Sequence, residues 1–148
     1  MMYKHRNVLM LAAVICLAAV LLTACTTSMS YTFSVETGDQ VEVKLNTSDG
    51  LKMTQSDGQF SVLDADGQHL LDGGFVTAEG MDYYRSAMYT EGAEVLLDTD
   101  EEILWTYDGE YNRLVMVNDR TGVLIGSLMD PETAENAYQQ LTITLRGS

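Results

Sequence analysis

Few residue types in this chain can make or break bonds, and their placement is uneven. It has two cysteines, Cys16 and Cys25, and two histidines, His5 and His69. Cys16 sits inside an apolar run, whereas Cys25 closes that run behind Leu22, Thr23 and Ala24 and is followed by polar Thr26, Thr27 and Ser28. The other groups are carboxylates. Asp98, Asp100, Glu101 and Glu102 form an acidic stretch that could offer Ca²⁺ several oxygens, and Asp64 and Asp66 add a second acidic loop. Neither follows the EF-hand spacing of alternating ligands, a central glycine and a distant Glu. Solvated turns are the plainer expectation, and no metal or cofactor is assigned.

The segment leading to Cys25 has the parts of a secretory signal: Lys4 and Arg6, then an apolar run from Val8 to Leu22, then small residues. That run of about 15 residues is at the upper end for a signal peptide and short of the roughly 20 needed to span a bilayer. Leu22-Thr23-Ala24-Cys25 resembles a bacterial lipobox, the end of a type II signal peptide. The resemblance implies cleavage before Cys25, lipid on its thiol, and recognition through Leu22, Thr23 and Ala24. It implies an extracytoplasmic protein held at a membrane by two or more acyl chains, enough for stable anchoring. The expected organisation is a signal helix over 1–24, the lipidated cysteine and a tether over 25–30, and one domain over 31–148.

Cleavage there would remove Cys16, His5, Lys4 and Arg6. All 22 acidic residues follow Cys25, so the formal charge of −14 becomes −14 − 2 = −16. The basic residues left are Lys44, Lys52, Arg85, Arg113, Arg120 and Arg146. Nucleic-acid binding is excluded by that balance, since phosphate neutralisation needs clustered cations. Solubility and steered encounter with a cationic partner are favoured. With no pair of thiols left, a hydrophobic core must hold the domain, and about 120 residues suffice for one.

The elements that would carry these residues are mostly strands. Alternating apolar residues mark 31–35, 41–45, 51–54, 60–63, 69–71, 75–77, 94–97, 103–107, 113–117, 122–125 and 141–145. Asp64-Ala-Asp-Gly67 and Asp108-Gly109 read as hairpin turns, as do Glu36–Asp39 and Asn118–Thr121. Met81, Tyr84 and Met88 form one helical stripe. A second helix starts after Asp130, with Pro131 at its first position and Glu132 at its positive end. The pattern predicts an α+β fold: a twisted antiparallel sheet with two short helices on one face. A β-sandwich or small barrel is the alternative. The closing order of meander, helix and strand is similar to the PsbP/Mog1-like fold.

The aromatic residues Trp105, Tyr107 and Tyr111 straddle the Asp108-Gly109 turn. Trp105 is expected beneath a helix with the tyrosines flanking the hairpin; exposed, the three could stack a sugar or a peptide. Tyr83 and Arg85 would point away from the core beside Tyr84 and form part of a polar contact surface.

Catalytic signatures are missing from the sequence: no Gly-x-Ser-x-Gly, His-Glu-x-x-His, Walker loop or Gly-x-Gly-x-x-Gly. His69 is read as a structural or edge residue. The expectation is a non-catalytic binding or structural module of the cell envelope with a cationic protein or cell-wall partner. An inhibitor of a cationic wall hydrolase is the second reading, and a small carboxylate-based enzyme the third.

Overall fold

The computed structural model describes residues 27–147. Leu22, Thr23, Ala24, Cys25 and the expected signal helix lie outside the described residues. Among the described residues no helix is long and apolar enough to cross a membrane.

The described residues are mostly β, with two short helices. The strands are β1 Ser28–Ser34, β2 Gln40–Asn46, β3 Lys52–Ser56, β4 Gln59–Leu63, β5 His69–Thr77, β6 Ala93–Asp98, β7 Glu102–Tyr107, β8 Glu110–Met116, β9 Thr121–Ser127 and β10 Leu141–Arg146. Helix α1 spans Ala78–Ala87, between β5 and β6, and α2 spans Pro131–Tyr138, between β9 and β10. Two sheets form in place of the single expected one. A three-stranded sheet has the order β1-β2-β10, and a seven-stranded sheet runs β3-β4-β5-β9-β8-β7-β6. Every pairing is antiparallel.

The large sheet is apolar on both faces at its centre, and this corrects the expectation that both helices share one face. Phe60, Val62, Leu71, Val123 and Ile125 meet Val41, Val43 and Leu45 of the small sheet and Ala134 and Ala137 of α2. On the opposite face Ile103, Trp105 and Leu114 lie under Met81 and Met88 of α1. Residues alternate sides along a strand, and β8 carries large side chains at successive positions from Tyr111 to Met116. A single cover would leave half of them in water.

Local chemistry explains the ends of the elements. Asp130 accepts the Thr133 amide at 2.9 Å and caps α2, with Pro131 behind it. Thr77 caps α1 through the Gly80 amide. Asp108 and Gly109 both have positive φ, 49° and 80°, as a tight two-residue hairpin requires. Asp57-Gly58 makes the same turn between β3 and β4. Gly73 does not break β5, which runs on through it; it pairs with Phe60, whose ring lies where a side chain would be. The strand β1 begins at Ser28, ahead of the expected domain start, and Ser28–Ser30 of the expected tether pair with Asn46, Leu45 and Lys44.

Candidate functional site

Two clusters concentrate the polar chemistry. The first is buried. Arg113 points from β8 toward α2 and is 4% exposed. Its Nη1 bonds the Glu102 carboxylate of β7, Nη2 bonds Glu135 of α2 at 2.5 Å, and Nε donates to the Tyr111 hydroxyl at 2.7 Å. Tyr111 in turn donates to Glu135 at 2.9 Å, and Tyr138 donates to Glu102 at 2.9 Å. The guanidinium lies over the Tyr138 ring, 3.9 Å from its centre.

Burying a cation costs several kcal/mol. Charge-assisted hydrogen bonds of about 1.5–3 kcal/mol each and a ring face offset that cost. Burial alone would lower the pKa of Arg113; the Tyr111 bond and the Glu102 and Glu135 charges outweigh it and hold the proton more firmly. Burial likewise pushes Glu135 up, but bonds from Gln139, Tyr111 and Arg113 bring it below the usual carboxylate range. Burial, then the bond to Glu102, raises Tyr138 to about 12. The two carboxylates and the cation are spent on one another. This cluster clamps α2 to the sheet and has no free acid or base.

The second cluster is open. A groove of about 910 Å³ lies between α1, the turn after β6 and the turn after β8. Met81, Leu97, Val115 and Met116 give it an apolar lining, and Asp82, Asp100, Glu101 and Asp119 bring carboxylates to it. The cation beside it, Arg85, is paired with Asp98 at 3.2 Å. Arg113, Arg120 and Arg146 are also paired with carboxylates. The charge of these four arginines is thus neutralised locally, and the unmatched acids set the field at the groove.

The groove is at the end of the molecule that β1 runs toward. Asp39, in the β1–β2 turn, accepts bonds from Thr121 at 2.7 Å, Asn118 at 2.9 Å and Arg120 at 2.6 Å. These residues belong to the β8–β9 segment whose Asn118 and Asp119 line the groove. Bonds from Thr121 and Asn118, and then the Arg120 charge, hold the Asp39 carboxyl below its ordinary pKa. Seven residues of β1, about 20 Å at strand rise, separate this end from Ser28.

The residues singled out by sequence scatter. Trp105 is 5% exposed and lies beneath α1, its ring 6.3 Å from that of Tyr84. Tyr107 is half-exposed on the same side. Tyr111 pairs with Thr106 across the two-residue turn, so it faces away from Trp105 and is buried in the Arg113 cluster. No shared aromatic surface exists. Tyr83 is exposed, while Arg85 is held by Asp98. The acidic stretch also divides. Asp98 accepts bonds from Arg85 and Tyr89, Glu102 turns to Arg113 and Tyr138, and Asp100 and Glu101 border the groove. Among the described residues no three His, Cys, Asp or Glu side chains converge as metal ligands would.

His69 is exposed on β5, with Nδ1 2.9 Å from Asp72. Ser61 donates to the same Asp72 oxygen at 2.6 Å. The order is therefore Ser–Asp–His, with the carboxylate in the middle. Nucleophile activation needs the histidine between the other two, whereas the hydroxyl here faces the carboxylate and not the imidazole.

Sequence reading missed the Arg113 cluster and the groove. Arg113 reads as an ordinary polar position in an apolar strand, and its partners are 11 and 22 residues away. The groove is assembled from three segments that no local pattern joins. Comparison with family models, curated proteins and solved structures found no match to this chain.

Proposed function

We propose that this chain is a lipid-anchored envelope protein whose folded part binds a cationic partner without chemistry of its own. The acidic groove carries the reading: apolar side chains from Met81, Leu97 and Met116, carboxylates from Asp82, Asp100, Glu101 and Asp119, and an Arg85 already paired with Asp98. Cationic, partly apolar segments fit such a surface. Charge draws them in and contact with the apolar side chains adds to it. The residues Leu22-Thr23-Ala24-Cys25 supply the address, through lipid on Cys25.

A basic cell-wall hydrolase is one partner of the required charge, which makes inhibition of such an enzyme the second reading. The carboxylate-enzyme reading draws no support from Glu102 and Glu135, since Arg113 holds both. The α+β reading and its likeness to the PsbP/Mog1-like order rest on the closing meander, helix and strand.

Two measurements test the proposal. Cells fed a clickable fatty acid should label the protein, and Cys25→Ala should abolish the label; label that survives refutes the anchor. The full-length protein in detergent micelles should bind or inhibit a basic wall hydrolase at micromolar concentration. Binding should weaken steeply between low salt and about 0.15 M, where charges are screened beyond about 8 Å. Binding indifferent to salt removes the electrostatic basis of the reading.

A further inference from the structure

Among the described residues strand β6 ends the large sheet, with β7 as its single strand neighbour. One side of its backbone therefore offers N–H and C=O groups with no strand to receive them. Proteins blunt such edges with bulges and charges, and β6 has both: a register shift between Val95 and Leu97, and Glu94 and Asp98 around it. Yet the same strand exposes Leu96 at 48% and Leu97 at 36%. Apolar side chains on an open edge add nothing to blunting. They suit an edge that receives a strand.

Charge says which strand. Residues 86–112 contain Glu91, Glu94, Asp98, Asp100, Glu101, Glu102, Asp108 and Glu110, and neither Lys nor Arg. A second copy pairing antiparallel about Leu96 would lay two of these acidic stretches side by side, Glu94 next to Asp98 at both ends with only Arg85 on Asp98 to offset them, and like charges directly opposite destabilise a pair. A segment with basic residues alternating with apolar ones would meet complementary charge instead. The edge is also held in place. Arg85 and Tyr89 both bond Asp98, the Tyr89 hydroxyl at 2.6 Å, so little order must be gained on binding. At its C-terminal end β6 opens onto the groove, which Leu97 also lines.

The geometry points to β6 as the docking edge for a cationic, extended segment of a partner protein, added as an eighth strand of the large sheet. Backbone hydrogen bonds supply affinity and the flanking carboxylates supply selectivity. Beyond Leu97 the same segment continues into the acidic groove. This rests on the reading of the domain as a module for cationic partners.

The experiment titrates isotope-labelled full-length protein in detergent micelles with three short peptides. One alternates Lys with Val and Thr, one is identical but with alternate backbone amides methylated, and one has Glu for Lys. The Lys peptide should bind and shift the amides of residues 93–98. Backbone methylation should weaken it by about tenfold or more, the effect of losing one or two good hydrogen bonds. The Glu peptide should not bind, and Glu94→Lys should weaken the Lys peptide several-fold. Equal binding by the methylated peptide, or shifts that spare 93–98, overturns strand addition while leaving a cationic partner in place. Failure of both Lys peptides at millimolar concentration overturns both.

Discussion

The guanidinium of Arg113 lies over the Tyr138 ring, 3.9 Å from its centre, while the Tyr138 hydroxyl bonds Glu102. One tyrosine of α2 thus covers the cation and binds one of its counter-charges. The helix carries Glu135 as the other. Docking of α2 and burial of Arg113 are a single event.

Removing the cation should therefore undo more than one contact. Arg113→Ala leaves Glu102 and Glu135 facing each other with no counter-charge. Breaking a buried pair costs about 3–5 kcal/mol, and the lower end applies because both carboxylates keep partial contact with water. Tyr138→Phe keeps the ring and loses one hydrogen bond, about 1 kcal/mol. Urea denaturation of the two variants checks the ratio; equal losses would mean that the cation contributes no more than the one hydrogen bond from Tyr138.

Asp39 predicts a dependence on acid. Its pKa is held below the ordinary value by Thr121, Asn118 and Arg120. A lowered carboxylate contributes stability that is complete above the unfolded value of about 3.9 and is lost as pH falls through the lower folded value. Asp39→Asn should be less stable than the parent at pH 7. The gap should close as pH drops below about 4, and melting curves across that range read it directly. A gap constant with pH would show that the carboxylate is not the stabilising form.

Gly73 and Gly122 should respond differently to alanine. A Cβ on Gly73 would lie 2.1 Å from the Phe60 ring, which is itself packed among Phe33 and Phe75. Overpacking of that kind costs about 1–3 kcal/mol, and Phe60→Leu in the same chain should recover part of it. At Gly122 the nearest atoms are Cγ and Sδ of Met81 at 2.9 Å, and an unbranched thioether can shift. Gly122→Ala should cost less than Gly73→Ala in thermal unfolding; the reverse order would place the tighter packing under α1.

Much of the local structure is legible in the sequence. The Asp130-Pro131 start of α2, the Asp108-Gly109 turn and the stripe of Met81, Tyr84 and Met88 each follow from one residue's conformational or packing preference. Long-range pairing is not. Leu141 pairs with Leu45 almost a hundred positions earlier, and nothing near either residue announces the other. That pairing sets β10 in the small sheet beside β2, away from the meander that precedes it. Tyr111 is a different case, because a two-residue turn already forces it away from Trp105. The groove lay out of reach, since its acids belong to three segments whose meeting depends on the register of β6 to β9.

The place where the chain enters the fold has a mechanical meaning. If a membrane holds the chain at Cys25 and a partner holds the groove, any tension between them runs along the axis of β1. The seven cross-strand pairs from Ser28–Asn46 to Ser34–Gln40 then carry the load together in shear, rather than one after another as in peeling. A partner that pulls would find its anchor joined to the domain by the stronger of the two ways to load a strand.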